Sequence, residues 1–442
     1  MRSTHAAPLL AALAVTLLAT SPASAQQAHV MPAGDPMSLD ALLHDALTDH
    51  PMLRAERSMA AEGRAMARTR SLRPDPTLTV SAQGLPWTSP WLGASMMAGL
   101  EVSIMQPLWW DEELDALRRA QAARAQAQDA GADEARVRLI AEAADLYYQL
   151  YAIDQVAAAI QETRAPLLDM RALLAARLST GGASVAQIER VNLAIVRVDD
   201  ELLMLHHERP GKEAALNALL QRPAGSPIAP ILDPRLDGAA PDLDALVAAA
   251  MARRPAVAAS RAQLSSARAD LDAAQFEAWP RLAIMGGWMF RTAGAQMGEH
   301  TTDDGTDYLM IGVQSSIPWT APRRAEAMAD AAQARMVASR AQLDAFEVAL
   351  RAQLAGQLAE LKHLTQHITF YNEALLPQAR RARDAALVGI QSGQQELDLW
   401  FEAEMALRDA RVRLARLDAD LRRNHALLLA ATDSLHTPHG AR

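Results

Sequence analysis

The sequence predicts a mainly α-helical protein built twice on one plan, in which a β-hairpin leads into a very long helical hairpin. Three observations carry this prediction: an internal duplication, four short stretches of period-two alternation, and long runs almost free of helix breakers.

The duplication sets the frame. Ser38-Leu39-Asp40-Ala41-Leu42 recurs as Asp242-Leu243-Asp244-Ala245-Leu246, an offset of 204 residues. At that offset His50-Pro51 faces Arg254-Pro255, and Pro76 and Leu78 face Pro280 and Leu282. Later the offset is 211: Pro107 faces Pro318, Pro166 faces Pro377 and Gly182 faces Gly393. The seven extra residues therefore enter between Leu282 and Pro318, where Thr292 to Thr306 is rich in Gly, Thr and Asp. Loops absorb insertions of this kind most readily. The repeats are placed at residues 26–225 and 226–433, with 434–442 as a disordered tail.

Before the first repeat, residues 1–25 read as a secretory signal. Arg2 and His5 precede the apolar run Pro8 to Leu18, and Ala23-Ser24-Ala25 supplies small residues before Gln26. Such a run is too short to span a bilayer. No later stretch reaches about 18 consecutive apolar residues, so no helical span is expected after it. Zero cysteines exclude disulfides and thiolate metal sites, and a net charge of −9 argues against nucleic acid as a partner.

Each repeat opens with a short helix and a second one begun by proline, a favoured first-turn residue. Two alternating segments follow, expected at about 77–85 and 97–107, then at about 281–291 and 307–318. Leu78, Val80 and Ala82 share one face, and Thr77, Thr79, Ser81 and Gln83 the other; Leu100, Val102 and Ile104 oppose Glu101 and Ser103. In the second repeat Leu282, Ile284, Trp288 and Phe290 share a face, as do Leu309, Ile311 and Val313. Period two means strands with one apolar and one polar face. Four strands cannot close a barrel, and an open edge is not viable in lipid. A trimer would supply twelve, within the range of membrane barrels. Trp109, Trp110, Trp279 and Trp319 fall where strands meet helices, the place for an aromatic girdle at a membrane interface. The plainer reading is a soluble sheet with tryptophans in its core.

The helical hairpins are expected at about 109–221 and 322–432. Ile188, Val191, Ile195, Val198, Leu202 and Leu205 step by three and four, as do Leu407, Ala410, Leu414, Leu417 and Leu421. That 3.5-residue period means coiled-coil packing. Gly181-Gly182 and Ser392-Gly393 supply the turns at the hairpin tips, while Pro166, Pro377 and Pro210-Gly211 should kink or interrupt their helices.

In this order of elements the chain resembles the TolC family of outer-membrane efflux proteins, from about Ser38 to Thr432. The likeness rests on the duplicated helix, strand-hairpin and helical-hairpin order and on Gln106-Pro107 closing a strand before a long helix. Gly393 followed by Leu397 and Ala403, and Leu216-Asn217-Ala218-Leu219-Leu220 before Pro223, are also similar to the family. Pro74-Asp75-Pro76 with Gly84-Leu85-Pro86 leans towards its CzcC-like heavy-metal branch; where that branch carries a Gly-Lys pair, Trp109-Trp110-Asp111-Glu112 stands instead. The resemblance implies a homotrimer in the outer membrane of a Gram-negative bacterium. Its β-barrel would continue into a periplasmic α-helical barrel that docks with a periplasmic adaptor and an inner-membrane pump of the resistance-nodulation-division type. It further implies a passive duct with no cofactor and no enzymatic activity, exporting heavy-metal cations, or drugs or secreted proteins. Counting from Gly393, Glu402 before Ala403 matches one acidic position of the family's pore constriction, while the other falls at Leu399 with Asp398 immediately before it, so Asp398 and Glu402 are the expected constriction. Rings of carboxylates select cations.

Other candidates were weighed. His363 and His367 are four apart on a helix, yet no third ligand completes a metal motif. His206-His207 fall on different helix faces, and His436 and His439 lie in the tail. Met96, Met97, Met285, Met289, Met297 and Met310 cluster around the strands; thioethers suit copper or silver, but methionine more often serves as flexible apolar filler. No phosphate loop or nucleophile elbow appears. A periplasmic coiled-coil adaptor would explain the helical hairpins, but not strands placed before each of them.

Overall fold

The computed structural model describes residues 38–47, 50–70, 72–88, 90, 92, 97–228, 231, 242–291, 306–317, 319–392 and 397–435. The expected signal segment, most of Thr292 to Thr306, Gly393, Met96, Met297, His436 and His439 lie outside the described residues.

The duplication is visible in the element order. Helices α1 (Leu39–Leu47) and α2 (Pro51–Arg70) open the first repeat; α5 (Leu243–Arg253) and α6 (Pro255–Ala274) open the second. Both α2 and α6 run 20 residues from a proline. Strands β1 (Thr77–Gln83) and β2 (Gly99–Leu108) follow in one repeat, β3 (Leu282–Arg291) and β4 (Tyr308–Ser315) in the other. They form one antiparallel sheet in the order β1-β2-β3-β4, so the hairpins join through β2 and β3.

The long elements come last in each half. Helix α3 (Asp111–Leu178) has 68 residues and so extends about 100 Å. It turns back as α4 (Val185–Leu219). In the second repeat α7 (Ala321–Phe370), a π turn at Tyr371–Leu375 and α8 (Leu376–Gln391) make the outgoing arm, and α9 (Leu397–Ala431) returns. Helices α4 and α9 are both 35 residues long. Helix α3 is the spine, packing on α2, α4, α6 and α9.

The coiled-coil stepping finds its packing. Val191, Ile195 and Val198 of α4 and Trp400 of α9 are buried with Leu167 and Met170 of α3. Nearer the sheet, Leu42 and Leu43 of α1 pack on Tyr147, Tyr148 and Tyr151 of α3.

Of the prolines expected to kink or interrupt their helices, two do not interrupt them. Helix α3 runs through Pro166 and α4 through Pro210 without interruption. Only Pro377 coincides with a departure, the π turn just before it. An internal proline costs about 3 kcal/mol or more. Leu167 and Met170, 0 % and 2 % exposed beside Pro166, help offset that cost. At the C-terminal end, Ser434 and Leu435 belong to the close of α9 and not to a loose tail. The Ser434 N–H donates to the Leu429 carbonyl (2.8 Å), and Leu435 packs on the α1–α3 core.

Candidate functional site

Three zones along the long axis bear on function: the sheet, its junction with the helices, and the far tip.

The sheet is inverted relative to a soluble one. Cross-strand pairing places Leu78 opposite Ile104, Val80 opposite Val102, Val102 opposite Trp288, and Trp288 opposite Leu309, all on one face. This apolar face is bare: Val80 is 59 % exposed, Ile311 80 % and Val313 72 %. Glu101 and Ser103, on the polar face, are buried at 9 % each. Glu101 accepts hydrogen bonds from Gln83 and, at 3.5 Å, from Ser81. Among the described residues no helix packs on the sheet to any extent. Other polar-face residues, Thr77, Thr79, Gln83 and Gln314, are exposed. Baring an apolar face opposes the hydrophobic effect in water and obeys it in hydrocarbon. Among the described residues, strands β1 and β4 each leave one edge unpaired.

At the junction, Trp110 and Trp279 meet edge to face with ring centroids 4.9 Å apart. The Trp110 indole N–H donates to the Pro280 carbonyl at 3.3 Å. Arg281 lies 4.9 Å over the Trp109 ring and pairs with buried Glu113 at 2.6 Å. Trp319 joins none of these and is 87 % exposed. Three of the four tryptophans are thus gathered at one end of the sheet, and the fourth stands free at the start of α7.

At the tip, Gly181 has φ +76°, a left-handed conformation that glycine adopts without strain. The Gly182 N–H donates to the Arg177 carbonyl (2.9 Å), and Ser184 with Gln187 forms a capping box that starts α4. Arg177 crosses to the other hairpin and donates to the carbonyls of Ile390 (2.6 Å) and Gln391 (3.0 Å), while Ser392 Oγ donates to that of Gly389 (3.1 Å).

Asp398 opens α9 and is paired with Arg190 of α4, whose guanidinium lies 5.0 Å over Phe401. Glu402, one turn further on, is exposed. Sequence reasoning missed Arg190, because a cation far away in the chain becomes a partner only through the rotation of two packed helices. It also missed Glu404, which is fully buried with Arg383 at 3.4 Å. Burial pushes the Glu404 carboxyl above the usual carboxylate range, with Arg383 and Arg411 pulling it back down.

The histidine pair is real but small: the His363 and His367 rings lie 4.3 Å apart on α7. Among the described residues no group of three or more potential metal ligands forms. No helix in them is long and apolar enough to cross a membrane.

Comparison with known proteins places this geometry. Residues 246–433 match the family described as outer membrane efflux protein. No curated protein sequence matches the chain. Among solved structures, the outer-membrane channel OprN superposes with a TM-score of 0.75 at 16 % identity, covering 90 % of each chain. The outer-membrane protein VceC from Vibrio cholerae gives 0.73 at 20 % identity, over 89 % of this chain and 95 % of its own. CusC, solved in a study of transmembrane channel formation, gives 0.73 at 19 % identity, over 89 % and 91 %. The fold of this chain is that of an outer-membrane channel protomer.

Proposed function

We propose that the chain is the outer-membrane component of a tripartite efflux system, a passive duct with no bond chemistry of its own. The bare apolar face of the sheet carries this reading. With four strands and two open edges per chain, three copies close a twelve-stranded barrel in which lipid meets only that face. The helical hairpins of the three copies then continue the barrel into the periplasm. Val196, Leu203 and Met204 on α4, with Val337 and Val348 on α7, are exposed apolar side chains that sister copies would cover. The tryptophan junction would sit at the periplasmic interface of the outer membrane. A periplasmic adaptor and an inner-membrane pump, of the resistance-nodulation-division type, would supply the coupling and the energy. The match of residues 246–433 to the efflux family supports this assignment.

Heavy-metal cations are the cargo we favour, on the strength of the CzcC-like strand and loop residues and the acidic tip. Asp398 and Glu402 of three copies would ring the constriction, each Asp398 held by its Arg190. The test is single-channel conductance of the reconstituted full-length protein. Asp398→Asn with Glu402→Gln should change conductance and lower cation preference; unchanged currents remove the constriction. A mature protein that remains a monomer without detergent removes the channel itself.

A further inference from the structure

The polar face of the sheet carries four methionines that packing does not require. Met105 stands directly opposite Met285, and Met310 stands opposite Gly287, diagonal to both Met285 and Met289. Directly opposed side chains have Cβ atoms about 4.5–5.5 Å apart and diagonal ones about 7–8 Å, within reach of long side chains. The register therefore sets the four methionines side by side on one face across β2, β3 and β4. Met289 faces Glu101, so a buried carboxylate adjoins one end.

Glycines make room for these side chains. A Cβ at Gly312 would fall 3.0 Å from Met285 Cγ and 3.2 Å from its sulfur; one at Gly99 would fall 3.1 Å from Met289 Cγ. Methionine usually fills gaps in a core. Here, among the described residues, no helix packs on the face to any extent, and all four side chains stay half-buried. Around them stand Ser103, Gly287, Gly312 and Gln314, with the Tyr308 ring opposite Met289 and Arg291 5.0 Å over it. Thioethers are the soft donors on this wall, and soft donors select soft cations.

We propose that Met105, Met285, Met289 and Met310 form a weak binding site for soft, thiophilic monovalent cations, silver(I) being the stable probe, on the inner wall of the barrel. That the wall lines a pore rests on the proposed function; the site itself rests on the register and the uncovered face. Weak, closely spaced sites suit passage, because an ion must leave as readily as it enters.

The test loads detergent-solubilised full-length protein with silver nitrate in chloride-free buffer and counts bound silver after dialysis. M105L/M285L/M289L/M310L, a volume-conserving change costing under about 1.5 kcal/mol per site, is compared with the parent. The parent should hold at least about one more silver ion per protomer than the variant. M105L/M285L alone should remove most of that difference if the fourfold variant does not fold. In bilayers, micromolar silver should block the parent reversibly and leave the variant open. Equal loading of the two proteins overturns the site. So does loss of a hydrophobic dye such as Nile red with silver unchanged, which would assign the patch to apolar solutes. Retained silver difference with no conductance in either protein keeps the site and sinks the duct instead.

Discussion

The two ends of this molecule obey opposite packing rules. Along the helices, Trp400 is 1 % exposed and Leu167 is fully buried, an apolar core like that of a protein folded in water. In the sheet, Ile311 is 80 % exposed while Glu101 is 9 % exposed. On the proposed function, one chain keeps both because the patterning records the solvent each part meets. The period of the pattern specifies helix or strand; which face is covered specifies water or hydrocarbon.

The sharpest way to break that contrast is to damage each end by its own rule. Trp400→Ala empties a site packed between both helical hairpins and should cost about 3–5 kcal/mol per copy. Thermal unfolding followed by helical circular dichroism should show a large fall in the melting temperature. A shift of only a degree or two would mean the tip core contributes little. Ile311→Arg is the matching injury to the sheet. Such a change is nearly neutral on a water-exposed strand but costs about 2–4 kcal/mol near a bilayer midplane. The fraction of protein recovered in outer membranes should drop while its helical content in detergent survives. Normal insertion of the arginine variant would place that face in water.

Much of this was legible in the sequence, for a physical reason: strands and long helices announce themselves through local periodicity, and the duplication repeats each signal. Thr77 to Gln83 and Gly99 to Leu108 show alternation that needs no tertiary knowledge. The tip turn at Gly181 was equally local, since a positive φ favours glycine. The failures share a different character. Continuity through Pro166 depends on the packing of Leu167 and Met170, which outweighs an intrinsic helix breaker. The Arg190–Asp398 pair joins residues 208 apart in the chain. Met105 escaped notice because its neighbour on the wall, Met285, comes from the other repeat, and only the β2–β3 register brings the two together.

The smallest effect should come from Glu404, which tests whether the helical end keeps a water-soluble protein's dislike of buried charge. Its carboxyl is fully buried, and its raised pKa means that the folded state holds the proton more tightly than the unfolded chain does. The associated stability is fully present below the ordinary glutamate value, and it is lost as pH rises through the higher folded value. Arg383 and Arg411 limit the loss, since both favour the ionised form. Glu404→Gln keeps the shape and a hydrogen-bond acceptor for Arg383, which retains Asp384 at 2.6 Å. We expect the variant to match the parent near pH 4 and to gain about 1 kcal/mol at pH 8. Melting temperatures of the solubilised protein measured across that range decide it. A variant that loses stability at pH 8 would show that the buried pair with Arg383 outweighs desolvation, and that the helical end tolerates charge better than its packing suggests.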